Sequence, residues 1–146
     1  MLYLKPITYD NINDFDDTEY ASMSFEERRN LIDESINKIH NGAYFEFLVV
    51  YNDNTVVGFM NLFAHSTHII SCGPAIKGVF KKMGFGFAAE TMALKYAKEK
   101  GYTIAIGEVN DNNAASIALH EKLGFEIDRK FSNKQGRTVR VYVKAL

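Results

Sequence analysis

The chain has 146 residues, 47% of them hydrophobic and eleven of them phenylalanine, with a formal net charge of −1. That predicts one globular domain around a single core and argues against nucleic acid as a main partner, since a phosphate-binding surface needs a basic excess. No apolar run approaches the ~20 residues that span a bilayer, the start MLYLKPITYD does not read as a signal peptide, and a single cysteine, Cys72, fits a reducing cytoplasm.

In chain order, Met1–Thr8 alternates as a first strand, and the acidic, Asn-rich stretch Asp10–Tyr20 reads as a loop or short helix. Ser24 and Glu27 have capping-box spacing. The helix they open directs Phe25, Ile32, Ile36 and Ile39 to a core and stops at a left-handed Asn41-Gly42 cap. Phe45–Tyr51 and Thr55–Phe63 flank Asn52-Asp53-Asn54 as a hairpin. His68–Ile76 is the next strand, where Gly73-Pro74 predicts a bulge or distortion because proline cannot donate to a ladder.

The stretch Ile76–Gly101 leads from that strand through a basic loop, Lys81-Lys82-Met83-Gly84-Phe85-Gly86, into a helix. Its apolar positions Phe85, Ala88, Ala89, Met92, Ala93, Tyr96 and Ala97 follow a 3.6-residue period. Glycines at a helix N-terminus offer free N–H groups and the positive end of the dipole, which predicts an anion, specifically a phosphate. Thr103–Val109 is then a strand parallel to His68–Ile76, because a helix joins them. Asn113–Leu123 is a helix closed by Gly124, and Phe125–Lys130 with Thr138–Val143 forms a last hairpin around Asn133–Gly136.

Ile76-Lys77-Gly78-Val79-Phe80-Lys81-Lys82-Met83-Gly84-Phe85-Gly86 resembles motif A of the GCN5-related N-acetyltransferases (GNAT), V-x-P-x-Y-[RQ]-x-x-G-x-[GA]. Gly78 stands at the proline and Lys81 at the Arg or Gln. Asn113-Ala114-Ala115-Ser116-Ile117-Ala118-Leu119-His120-Glu121-Lys122-Leu123-Gly124-Phe125 resembles motif B, N-x-x-[AS]-I-x-L-Y-E-K-L-G-F, with only the tyrosine changed, to His120. The resemblance runs from about Thr55 to the C-terminus and is nearest the subgroup of ribosomal-protein N-terminal acetyltransferases. It implies an α/β (α+β) fold: a mixed sheet of about seven strands, flanked by about four helices, with the fourth and fifth strands parallel and splayed. It also implies acetyl-CoA as cosubstrate, a small-molecule or peptide amine as acceptor, direct attack in a ternary complex, no metal, and a family habit of dimerising.

By the same resemblance, backbone N–H groups of Lys82, Met83, Gly84, Phe85, Gly86 and Phe87 hold the pyrophosphate, with Lys81 and Lys82 adding charge. Ile76 offers main-chain groups to the pantetheine and an amide to the oxyanion. Asn113 holds the pantetheine and also sits where an N-cap belongs. The strand often supplying a catalytic carboxylate has none between Ser66 and Phe80. Glu108, at the end of the fifth strand and twelve residues before His120, has the spacing of the subgroup's base and tyrosine; it reads as the base or as a strand-end carboxylate paired with a lysine. His120 reads as the general acid in the tyrosine's place or as a space-filler, imidazolium being a better donor than phenol but needing a carboxylate to hold its charge. His65 and His68 lie on opposite faces of a strand and make no metal pair, and Cys72 reads as core. Nine of the eighteen acids lie in residues 10–35, as solvated faces or as an attractant for a cationic amine. The alternative to an enzyme is a non-catalytic acyl-CoA sensor or scaffold on the same fold.

Overall fold

The computed structural model describes residues 1–146. Eight strands form one sheet: β1 (Leu2–Pro6), β2 (Ile39–His40), β3 (Ala43–Asn52), β4 (Thr55–Ala64), β5 (Ile69–Ile76), β6 (Ile104–Asn110), β7 (Glu126–Ser132) and β8 (Thr138–Ala145). Their order is β1-β3-β4-β5-β6-β8-β7, with β2 paired to β3. Three α-helices, α1 (Phe25–Asn37), α2 (Phe85–Glu99) and α3 (Ala114–Lys122), and a seven-residue 3₁₀ helix, Tyr9–Phe15, supply the expected helical set. The central feature is the parallel β5–β6 pair. It holds for only two rungs, Ile69↔Ile104 and Ile70↔Ala105, and then the strands part.

Apolar side chains cover both faces of this sheet, as alternation in a two-sided strand requires. On one face Met60, Leu62, Ile70, Cys72 and Ala105 pack under Ala89, Ala93, Leu94 and Ala97 of α2. On the other, Phe47, Val49, Phe59 and Ala75 meet Ile7, Phe15 and Ile32. Met92, expected on the buried stripe of α2, is 36% exposed, while Glu90 is fully buried; the buried stripe lies one residue away from the apolar one.

Three local expectations are corrected. The capping box of α1 forms as read, with Glu27 N–H donating to Ser24 Oγ at 3.1 Å and Ser24 N–H to Glu27 at 3.0 Å. The helix nevertheless stops at Asn37, where Lys38 adopts φ 58°. Asn41 and Gly42 are also left-handed, but they make the turn of the short β2–β3 hairpin rather than the helix cap. Of the four apolar residues assigned inward, only Ile32 is buried; Phe25, Ile36 and Ile39 are exposed. That face instead buries Arg28, whose guanidinium donates to the carbonyls of Ile12, Ala21 and Met23 and to Asp16, at 2.8–3.0 Å.

The third concerns Pro74. The β4–β5 register runs unbroken from Gly58↔Ile76 to Ala64↔Ile70, so no bulge interrupts it. Lys77 N–H donates to Val57 C=O at 2.9 Å, which by alternation points the odd-numbered amides of β5 at β4 and the even-numbered ones at the opening toward β6. Pro74 is even-numbered. Its missing N–H falls on the unpaired edge and costs no ladder bond.

Candidate functional site

Where β5 and β6 part, a cleft of about 810 Å³ passes through the sheet. At its helix-side mouth lies the loop before α2. Gly84 caps that helix at φ 85° with no side chain satisfying the first turn, and Lys82 is left-handed at φ 63°. None of the backbone N–H groups from Lys82 to Phe87 donates to another backbone carbonyl in a turn or cap; the first to do so is Ala88, to Gly84, at 3.1 Å. This is the free-donor array an anion needs. A Cβ on Gly86 would meet Pro74 and Ile76 at 3.7 and 3.8 Å, ordinary contact, so this glycine keeps the surface low without relieving a clash. Lys81 and Lys82 line the cleft as expected, joined by Lys122, whose ammonium sits 4.2 Å from the Phe87 ring centroid.

Gly78, where motif A has proline, has a local cause. A Cβ there would come within 2.7 Å of Asp17 Oδ1, because the Asp17 carboxylate accepts from Val79 N–H at 3.0 Å and the Asp17 carbonyl accepts from Gly78 N–H at 2.8 Å. Lys77 pairs with Asp14 at 3.0 Å beside it. Part of the acidic N-terminal stretch therefore anchors the start of the loop; Glu19, in contrast, reaches the cleft.

The cleft's middle is bounded by Cys72, Gly73, Pro74 and Ile76 on β5 and by Ile106, Gly107 and Glu108 on β6. The open edge of β5 presents the N–H groups of Cys72 and Ile76. Ser71 clamps the fork: its hydroxyl donates to Ile106 C=O at 3.0 Å and pairs with His65 Nε2 at 2.6 Å. With the serine proton on Ile106, the imidazole N–H is the donor in the second bond. Alternation puts Ser71 and Glu108 on the face away from α2, with Glu19 and Asn61, whose amide donates to Tyr20 Oη at 3.2 Å. Glu108 is exposed there.

On the α2 side stand Asn113, His120 and Glu90. Asn113 does cap α3, accepting from Ser116 N–H at 3.1 Å through its oxygen, which leaves its amide N–H₂ for the cleft. His120 is 8% exposed, stacked on Tyr142 at 5.3 Å and met edge-on by Phe125 at 5.0 Å. Its Nδ1 donates to Ser116 C=O at 2.8 Å, so in the neutral ring Nε2 carries the lone pair. A Cβ at Gly107 would lie 2.5 Å from that Nε2, which makes the glycine a condition of the histidine's placement. No carboxylate bonds to the ring.

Glu90 is the residue that pattern reading missed, because its helical position gave no sign of burial. Neither of its oxygens has a hydrogen-bond partner in the protein, and burial pushes its carboxyl up to about 8. Burial, and secondarily Glu90, raises the Cys72 thiol to about 12, which fits a packing role rather than a nucleophile. No cluster of three or more metal-ligating side chains occurs, and no helix is long and apolar enough to cross a membrane.

Residues 9–125 match the family model described as Acetyltransferase (GNAT) family. No curated protein matches the chain by sequence. Among solved structures it is similar to an acetyl transferase from Salmonella typhimurium that modifies the N-terminal serine of 50S ribosomal subunit protein L7/L12. The TM-score is 0.83 at 14% identity, covering 99% of this chain and 95% of that one. It is similar also to spermidine N-acetyltransferase from Vibrio cholerae in complex with CoA and spermine, with TM-score 0.79, 18% identity, and 99% and 95% coverage. Ard1 from Thermoplasma volcanium gives 0.77, 18%, and 99% and 97%. At these identities the likeness is one of fold.

Proposed function

The chain belongs to the acetyltransferase (GNAT) family, and from that premise we propose that it transfers acetyl from acetyl-CoA to a primary amine by direct attack in a ternary complex. The observation that carries this reading is the continuity of the cleft. It joins the free N–H array at Lys82–Phe87 to the open edge of β5 and emerges among Glu19, Ser71 and Glu108 on the opposite face. One ligand's phosphates and a second ligand's amine can thus approach from opposite sides and meet within the sheet.

In this reading the Lys82–Phe87 amides hold the pyrophosphate and Lys81, Lys82 and Lys122 neutralise it. The Asn113 amide and the Ile76 main chain hold the pantetheine arm, and the Ile76 N–H stabilises charge on the carbonyl oxygen. Glu108 takes the amine proton, directly or through a water, and the carboxylates of Glu19 and Glu108 favour a cationic acceptor, whether small molecule or peptide. His120 turns Nε2, the unprotonated nitrogen of its neutral ring, towards the sulfur, where it can accept a hydrogen bond and could donate one only as imidazolium.

The test is CoA release from acetyl-CoA with spermidine and with a serine-initiated peptide. Glu108→Gln should lower kcat by roughly 10²-fold, move the remaining activity to higher pH, and leave CoA binding unchanged. Tight CoA binding by the parent protein with no release toward any amine would favour a sensor or scaffold instead.

A further inference from the structure

Glu90 lies one turn inside α2 with its side chain against the cleft wall, fully buried and unpartnered at both oxygens. Two rungs beyond the last β5–β6 pair, Ile70↔Ala105, Cys72 comes level with Gly107. Gly107 in turn abuts His120 Nε2. Cys72, Gly107 and His120 therefore bound one level of the helix-side wall, inward of the Lys82–Phe87 mouth, and Glu90, near enough for its charge to act on the Cys72 thiol, lines the same wall. A carrier arm entering from that mouth would bring its sulfur end to this level.

A thiolate leaving at this level needs a proton, and most of the groups around it are poor sources. The neutral His120 ring has its hydrogen turned away onto Ser116. Cys72 holds its proton too tightly, burial having raised its thiol to about 12. Lys81, Lys82 and Lys122 belong to the mouth, and Glu108 faces the other side of the sheet. From β1 and β4 the side chains packed in the same core are apolar: Leu2, Leu4, Met60 and Leu62.

Resting on the acetyl-transfer reading above, we propose that Glu90 is the proton donor to the leaving sulfur. As the amine nitrogen forms its bond to the acyl carbon, the C–S bond breaks with its electron pair on sulfur, and the Glu90 carboxyl passes its proton to that sulfur. The resulting carboxylate regains a proton from solvent before the next turnover, while the proton lost by the amine leaves through Glu108. Burial keeps Glu90 in the acid form near neutrality, and its titration at about 8 lies close to that of an ordinary thiol, so the transfer is nearly balanced. The same arrangement accounts for a cleft without the family's tyrosine.

The test is the ultraviolet absorbance of the CoA thiolate, titrated with pH on CoA bound to the parent protein and to Glu90→Gln. With Glu90 beside the sulfur, its ionisation opposes that of the thiol, so bound CoA should ionise at distinctly lower pH in Glu90→Gln. With spermidine or the seryl peptide as acceptor, kcat of the parent should fall above about pH 8, and Glu90→Gln should lower kcat at least about tenfold, abolish that limb and hold the KM for acetyl-CoA within about twofold. An unchanged thiolate titration would overturn the proposal, as would a falling limb lost in His120→Phe but kept in Glu90→Gln. Failure of the parent protein to bind CoA would overturn the acetyl-transfer reading itself.

Discussion

Glu90 and His120 show how a single side chain's surroundings decide what it can do. Glu90 is buried without a partner, so folding has to keep its proton: the carboxyl is pushed up to about 8 in the folded chain from an ordinary 4.5. A raised carboxyl means the native state binds more protons than the unfolded one between these values, so this contribution to stability is full below about pH 4.5 and is lost as pH rises towards 8. A shift of this size corresponds to several kcal/mol, on the order of 5. Glu90→Gln keeps the shape and removes the titration. Its stability relative to the parent should be close at pH 5 and should grow with pH, reaching a gain of a few kcal/mol at pH 9 in urea denaturation. A constant difference across that range would mean that the folded-state carboxyl is not held protonated.

Among the elements, the Asp10–Tyr20 stretch is tied more firmly than its composition indicates. Arg28 satisfies three of its neighbouring carbonyls and Asp16, and Asp14 and Asp17 hold Lys77, Gly78 and Val79 at the start of the loop before α2. Arg28→Ala would leave those carbonyls without a donor and should destabilise the fold by about 3 kcal/mol, measured by denaturation. At the mouth of the cleft, charge reversal by Lys82→Glu together with Lys122→Ala should weaken CoA binding by roughly tenfold to hundredfold and flatten its dependence on salt, read by calorimetry at two ionic strengths. Elements with strong local signals were legible from sequence: the Ser24 capping box, the turn at Asn52–Asn54, Gly84 at the start of α2, Asn113 at the start of α3. What misled was continuity of pattern. The apolar period of α1 runs on through Ile39 although Lys38 has already left the helix. Pro74 looks disruptive until the direction of its missing N–H is known, and that depends on which neighbour a strand has lost.

For the whole molecule, the sheet order follows from two connections. The α2 connection makes β5 and β6 parallel, and β8 inserts between β6 and β7. The family, the splay and the glycine loop with its free N–H groups could be read from two motifs, because those motifs carry backbone requirements. The surroundings of the cleft's middle could not, since Glu90 with Cys72, His120 with Gly107, and Ser71 with Ile106 and His65 each join residues separated in sequence. The claim on which the account depends is that the cleft takes acetyl-CoA. The direct measurement is thermal unfolding with acetyl-CoA, with CoA and with ATP. At about a hundredfold over Kd a ligand adds ~2.7 kcal/mol, which should raise Tm by several degrees at this chain length. The account predicts that rise with acetyl-CoA and CoA and little with ATP; no rise at millimolar acetyl-CoA would contradict it.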